Sequence, residues 1–284
     1  MAIGLFDSGV GGLTIHRAVT ARLPAADVIY LADQAHMPYG ARAGEEIVQL
    51  TRSGCERLFL EGCDLVILAC NTASAVALRR LQRSWLPQAR QALGRAVNVL
   101  GIIVPTIEAV TGRPWRGAHA ASDRGGLAGE VVGVFATQAT ARSGVYEIEI
   151  GKRRDDLRVV TEACPGLAGL IERGVAAAVI GEVIDGHVRA ITQRIGGAPD
   201  KVILGSTHYE VVAELFGRAL PAGSELVQQP RATADALQSY LERHPEYRIG
   251  AQGLRRYLTT GRPGEAHAFI DAYCGEPLRF EAVR

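Results

Sequence analysis

Val66-Ile67-Leu68-Ala69-Cys70-Asn71-Thr72 and Val202-Ile203-Leu204-Gly205-Ser206-Thr207-His208 follow one pattern, an apolar run of strand length closed by small and polar residues. Upstream, Ile3-Gly4-Leu5-Phe6-Asp7-Ser8 matches Val132-Gly133-Val134-Phe135-Ala136-Thr137 in the same way. The spacings within each half are similar, 66 residues from Gly4 to Cys70 and 73 from Gly133 to Ser206. Self-similarity at corresponding places implies a duplicated architecture. Each repeated strand ends in small polar residues just before a helical pattern, and open α/β sheets bind ligands beyond the carboxyl ends of their strands. If the two halves face each other, Cys70 and Ser206 approach one ligand from opposite sides. Taken singly, such strand-end Ser, Thr and Asn residues also read as helix N-caps; four related segments point to a site.

Outward from these segments, short apolar runs alternate with longer stretches of helical period, as a parallel sheet covered by helices requires. Ile3–Phe6, Val28–Leu31, Leu65–Leu68, Val99–Ile103, Val131–Phe135 and Val202–Leu204 read as strands. Leu13–Leu23, Gly44–Glu61, Thr72–Leu81 and the stretch from Gly169 through Arg173 to Ile195 carry apolar residues at spacings of three and four and read as helices. The fold expected is α/β, with two similar parallel-sheet domains related by pseudo-twofold symmetry and the site in the cleft between them. Residues 1–98 plus 231–284 are assigned to the first domain and 99–230 to the second. Residues 112–129, crowded with Gly, Ala and Arg and lacking any period, read as a surface loop whose Trp115 is either an anchor to the body or to another subunit or, as lone aromatics more often are, a plain packing residue.

A chain of 284 residues suffices for two cores, and its 48% hydrophobic and 21% charged composition is that of an ordinary globular protein. The net charge of +1 supplies no global attraction to nucleic acid or an anionic membrane. Lys152 and Lys201 are the only lysines, which argues against Schiff-base chemistry on pyridoxal phosphate. Cys55, Cys63, Cys70, Cys164 and Cys274 are odd in number, scattered and without a C-x-x-C pair, so neither a disulfide framework nor a zinc site is expected. A reducing cytoplasm fits that usage. No export signal or membrane span is expected either, because no uncharged apolar stretch reaches 18 residues.

Asp7-Ser8-Gly9-Val10-Gly11-Gly12-Leu13 follows a strand and opens a helix, so its amides are placed to hold an anion. The stretch lacks the full G-x-G-x-x-G spacing, and a carboxylate fits it better than a pyrophosphate; the alternative is a glycine turn that lets Asp7 sit close to the next strand. Cys70 stands at a strand end beside the donors Asn71 and Thr72, where the helix dipole favours a thiolate. Cys55, Cys63 and Cys274 fall in helix-like segments and read as packing residues, while Cys164, before Pro165-Gly166, reads as the start of a helical turn. The loop holding Asp33, His36, Pro38, Tyr39 and Gly40 is fixed by its proline and glycine, as either a binding loop or a plain surface turn. His208, two residues past Ser206, is placed to orient or activate a neighbour. No metal-ligand spacing accompanies it.

Phe6-Asp7-Ser8-Gly9-Val10-Gly11-Gly12-Leu13, Pro38-Tyr39-Gly40, Ala69-Cys70-Asn71-Thr72-Ala73 and Gly205-Ser206-Thr207-His208-Tyr209 together resemble the glutamate racemases of the aspartate/glutamate racemase superfamily. Ala136-Thr137-Gln138-Ala139-Thr140, Ala163-Cys164-Pro165-Gly166-Leu167 and Tyr257-Leu258-Thr259-Thr260-Gly261 extend the resemblance, in order, over nearly the whole chain. It implies cofactor-independent interconversion of L- and D-glutamate, supplying the D-isomer for bacterial peptidoglycan and the cell wall, and a homodimer. It also implies two cysteines acting from opposite faces, one removing the α-proton and the other delivering a proton. Carried over by motif, Cys70 is one acid/base with Asp7 beside it, and Ser206 stands at the position of the other with His208 as its helper. Ser8, Pro38, Tyr39, Gly40, Asn71, Thr72, Thr137, Thr140 and Thr207 match substrate-binding positions, and Asp33 matches a polar residue behind the site.

Ser206 departs from the resemblance, which has cysteine there. A free thiol has a pKa of about 8.5 whereas a hydroxyl ionises far less readily, so Ser206 is expected to carry protons poorly while still filling the site. The serine reads as an introduced replacement or as natural divergence; Glu210, where the family usually has proline, and the unusual His36 favour the second. A third reading has Ser206, activated by His208 or Glu210, still transferring the proton. With one thiol left, exchange of the α-proton, isomerisation or decarboxylation enters as an alternative, and so does a non-catalytic amino-acid-binding protein that kept the cleft.

Overall fold

The computed structural model describes residues 1–113, 129–264 and 278–283. Among the described residues the strands are β1 (Ala2–Asp7), β2 (Val28–Ala32), β3 (Cys63–Leu68), β4 (Asn98–Gly101), β5 (Val131–Ala136), β6 (Arg158–Ala163), β7 (Lys201–Gly205), β8 (Glu225–Leu226), β9 (Arg255–Thr259) and β10 (Phe280–Ala282). They form two parallel sheets, ordered β10-β9-β2-β1-β3-β4 and β6-β5-β7-β8. The β2-β1-β3-β4 core of the first sheet thus has the same order as the whole of the second. β1 pairs with β3 through Phe6 and Leu68, and β5 pairs with β7 through Phe135 and Leu204. The two repeated sequence pairs are therefore the two central strand pairs, and Cys70 and Ser206 follow β3 and β7, the strands in equivalent places.

Central strands of a parallel sheet are covered on both faces and read as unbroken apolar runs. Ile3, Leu5, Phe6, Leu65, Val66, Leu68, Val132, Val134, Phe135, Val202 and Ile203 are all buried accordingly. One core cluster runs continuously from Leu5, Val10 and Leu13 of the first sheet's layer to Leu167, Leu204 and Tyr209 of the second. The two halves are pressed together on one side and leave a cleft at the strand ends.

Several elements differ from their sequence reading. The expected division between residues 98 and 99 cuts β4, which pairs with β3 in the first sheet. The one between 230 and 231 falls in the first turn of the helix Gln229–Arg243. Hydrogen bonding along a strand or helix cannot be shared across a division, so the sheets part after Gly101 and that helix starts at Gln229. The strand expected over Val99–Ile103 ends at Gly101, and Ile103 opens the helix Ile103–Thr111. Cys63 is the first residue of β3 rather than helical, whereas Cys164 follows β6 directly and leads into the turn at Pro165 and Gly166 before the helix Leu167–Glu172. That helix is separate from Ala177–Ile195: Gly174, at φ +64, takes the left-handed conformation that ends it. The expected loop between residues 114 and 128, with Trp115, and Cys274 lie outside the described residues. Among the described residues, no helix is long and apolar enough to cross a membrane.

Candidate active site

Two glycines determine how closely the halves approach. A Cβ at Gly12 would fall 2.8 Å from Asp7 Cβ, and one at Gly11 would fall 2.6 Å from Thr207 Oγ1 and 2.7 Å from His208 Nδ1. Gly12 thus lets its own loop fold over Asp7, and Gly11 admits the helix Thr207–Val211 that follows β7. The amides of the loop are taken by a carboxyl group of the chain itself. Asp7 Oδ2 accepts hydrogen bonds from the Gly9 and Gly12 amides at 3.1 Å each, with the Tyr30 hydroxyl at 3.5 Å. Asp7 Oδ1 is buried with no hydrogen-bond partner among the described residues. Burial raises the Asp7 pKa, against the opposing pull of His208 and the two amides.

Ser8, Pro38, Tyr39, Gly40, Cys70, Asn71, Thr72, Thr137, Ser206, Thr207 and His208 line one cleft, joined by Met37, Ala168, Gly169 and Glu172. Its empty space, open solvent at the mouth included, is about 400 Å³. Two residues expected at the site itself, Asp7 and Thr140, stand behind its wall, and so does Asp33, which the resemblance places behind the site. Asp7 is fully buried, Thr140 is 1% exposed, and Asp33 accepts the Tyr39 hydroxyl at 2.6 Å while being 4% exposed itself. The Met37–Pro38 peptide is cis.

Cys70 and Ser206 both precede short helices but sit in them differently. Cys70 Sγ accepts the Ala73 amide at 3.4 Å and lies 3.4 Å from Ser8 Oγ, so the sulfur caps its helix. Ser206, of a residue type that caps well, makes no cap with its side chain. The thiolate expected at Cys70 from the helix dipole is not its resting state. Burial pushes the thiol up to about 11 and the Asp7 carboxylate adds to the rise, outweighing the Ser8 and Ala73 hydrogen bonds that favour the anion. The cost of removing a charge from water exceeds what two or three donors in a six-residue helix return.

His208 Nε2 lies 3.2 Å from Glu172 Oε2. Burial disfavours the imidazolium, but the Glu172 carboxylate, helped by Asp7, outweighs it and raises the His208 pKa. The break at Gly174 puts Glu172 at the last turn of its helix, facing His208; nothing in its local sequence separates Glu172 from other surface glutamates. No lysine or arginine lines the cleft among the described residues. Any carboxylate of a ligand is therefore met by hydroxyls, amides and the His208 ring, whose protonation Glu172 favours. Thr72, Thr137 and Thr140 form a small hydroxyl network across the halves, with Oγ1 atoms 3.0 to 3.3 Å apart. Among the described residues, no group of three or more His, Cys, Asp and Glu side chains is arranged to hold a metal ion.

No family model matches the chain. A curated glutamate racemase from Phenylobacterium zucineum is 60% identical over 283 residues, 99% of this chain and 99% of the relative. The chain belongs to the glutamate racemase family. Its place among the amino-acid racemases, which are isomerases, is matched by solved structures. The glutamate racemase isoform RacE1 of Bacillus anthracis superposes with a TM-score of 0.80 at 25% identity, covering 100% of this chain and 97% of that one. The glutamate racemase of Francisella tularensis, solved in complex with D-glutamate, shares the fold with a TM-score of 0.80 at 24% identity and the same coverage.

Against that glutamate racemase frame, Glu210 stands out. Burial raises its carboxyl to about 8, opposed by the Gln229 amide, and Oε1 has no hydrogen-bond partner among the described residues. Because the folded value lies above the ordinary one, the unfolded chain releases this proton first. This group's stabilising effect is whole below about 4.5 and falls by roughly 1.4 kcal/mol per pH unit until about 8. Glu210→Gln is therefore expected to gain stability over the natural sequence much more at pH 8 than at pH 5 in urea unfolding. An equal difference at both pH values would remove the protonated carboxyl from the account.

Proposed function

We propose that this chain interconverts L- and D-glutamate without a cofactor, with Cys70 serving one face of the α-carbon and Ser206 the other, and that the serine slows the second transfer. Inverting a stereocentre by proton transfer needs an acid and a base on opposite sides of one carbon. What carries the reading is that Cys70 and Ser206 end equivalent strands, β3 and β7, yet line one cleft.

In this mechanism the resting Cys70 thiol passes its proton, when substrate enters, to the Asp7 carboxylate, whose Oδ1 has no hydrogen-bond partner among the described residues. The substrate ammonium, held near Asp7 and Glu172, supplies the positive charge that the empty cleft lacks beside the sulfur. The thiolate then takes the α-hydrogen as a proton, leaving its electron pair on the α-carbon, delocalised into the adjacent carboxylate. Ser206 donates its hydroxyl proton from the far side, and His208, whose protonated form Glu172 favours, returns a proton to the oxygen. Ser8, Pro38, Tyr39, Gly40, Asn71, Thr72, Thr137, Thr140 and Thr207 form the substrate pocket in this reading, with Asp33 holding Tyr39. The D-glutamate present in the Francisella enzyme supports the choice of amino acid. Action in the cytoplasm, as a homodimer, supplying D-glutamate to peptidoglycan goes with the family reading and with the four described cysteines being free.

The test is solvent exchange. In deuterated water the protein is expected to replace the α-hydrogen of one glutamate enantiomer faster than it inverts either, followed by loss of the α-proton NMR signal. Binding without exchange of either enantiomer would instead identify an amino-acid-binding homologue that has lost catalysis.

A further inference from the structure

Behind Asn71 lies a buried chain of polar groups whose hydrogen bonds have only one consistent direction. The Thr106 hydroxyl, on the helix Ile103–Thr111, donates its single hydrogen to the Ile102 carbonyl at 2.7 Å. Thr106 can then meet Gln229 only as an acceptor. The Gln229 amide nitrogen lies 2.7 Å from Thr106 Oγ1, so the nitrogen faces Thr106 and the carbonyl oxygen faces Asn71. Asn71 Nδ2 donates to that oxygen at 2.7 Å. Asn71 Oδ1 is in turn occupied by the Tyr146 hydroxyl at 2.7 Å and by Gln229 Nε2 at 3.2 Å.

A carboxamide read alone has no fixed polarity, because oxygen and nitrogen occupy nearly the same volume. Here the chain from Ile102 to Asn71 fixes it. Gln229 is fully buried and spends both its hydrogens and its oxygen on this chain. Asn71 is left with one uncommitted Nδ2 hydrogen, and Asn71 lines the cleft. In the opposite orientation Asn71 would offer the cleft an acceptor and would face the Tyr146 and Gln229 donors with its own N–H groups.

We propose that Gln229, oriented by Thr106, is a positioning residue that fixes the polarity of Asn71 so that the cleft receives an N–H donor for a carboxylate of the ligand. Building on glutamate as the ligand of this cleft, the proposal adds a determinant that lies outside it, on an element beyond the second sheet. Gln229 touches no substrate. Its effect passes through Asn71.

The experiment compares Gln229→Leu, Thr106→Val and Thr106→Ser with the natural sequence for glutamate KM and for the saturated rate of α-proton exchange. Thermal unfolding is run on each. A neutral donor lost from a charged acceptor is expected to raise KM about tenfold in Gln229→Leu and Thr106→Val. The saturated rate stays within about threefold, and Thr106→Ser, which keeps the hydroxyl chain, restores the KM. A merely structural role would lower the melting temperature without splitting KM from rate and without rescue by serine. KM values unchanged in both disruptive variants, with exchange intact in the natural sequence, would overturn this proposal alone. Absence of both binding and exchange in the natural sequence would instead overturn glutamate as the ligand, and the proposal with it.

Discussion

Ser206→Cys is expected to raise the rate of glutamate inversion by about 10²- to 10⁴-fold, the range that a well-placed general acid or base contributes. Ser206 is 4% exposed, lines the cleft and leaves the start of its helix uncapped, so a sulfur there would not have to give up a structural bond. Glu172 raises the pKa of the neighbouring His208, and a protonated imidazole stabilises a thiolate far more than a hydroxyl that hardly ionises. The change is read by polarimetry or by chiral separation of L- and D-glutamate. No gain, in a protein whose melting curve is unchanged, would mean that the second half of the cleft has diverged by more than the one atom and would sink the two-face mechanism.

Cys70→Ala is expected to reduce α-proton exchange by about 10³-fold or more while glutamate binding, measured by calorimetry, persists. The hydroxyl and amide donors that would hold the ligand come from other residues, and the lost sulfur contacts are the Ser8 hydroxyl and the Ala73 amide. The fold cost is that of a small cavity plus an unfilled cap, on the order of 1–2 kcal/mol, too little to unfold a protein of this size. Exchange that survives in Cys70→Ala would move the proton-abstracting role to another group. The two substitutions are also informative together. If Cys70 alone governs exchange and residue 206 governs inversion, the double variant behaves as Cys70→Ala in both assays.

The strands at the centre of each sheet were legible because burial on both faces demands unbroken apolar runs, which β1, β3, β5 and β7 have. β6 (Arg158–Ala163), β9 (Arg255–Thr259) and β10 (Phe280–Ala282) were not, since strands at or near an edge carry charged and half-exposed residues without an apolar run. The division points went wrong for a related reason. The sheets part after Gly101 and the returning helix starts at Gln229 because hydrogen-bonding partners change there, and no local pattern in composition records it. The residues expected at the site gather in one cleft, apart from Asp7 and Thr140 behind its wall. Their chemical roles rest on the exchange and substitution experiments above.

The duplicated strand ends, the glycine run after Asp7 and the absence of metal-ligand or dinucleotide spacing are properties of residue order. They set the α/β class, the equivalence of Cys70 and Ser206 and the resemblance to glutamate racemases. The electrostatic state of the cleft was settled only in three dimensions. A helix start after Cys70 argues locally for a thiolate, and burial beside Asp7 makes it a thiol. His208, an isolated histidine in the sequence, has its pKa raised because Glu172, 36 positions earlier, is turned onto it by a break at Gly174. Dehydration and pairing depend on which atoms surround a group from every side, and those neighbours come from distant parts of the chain.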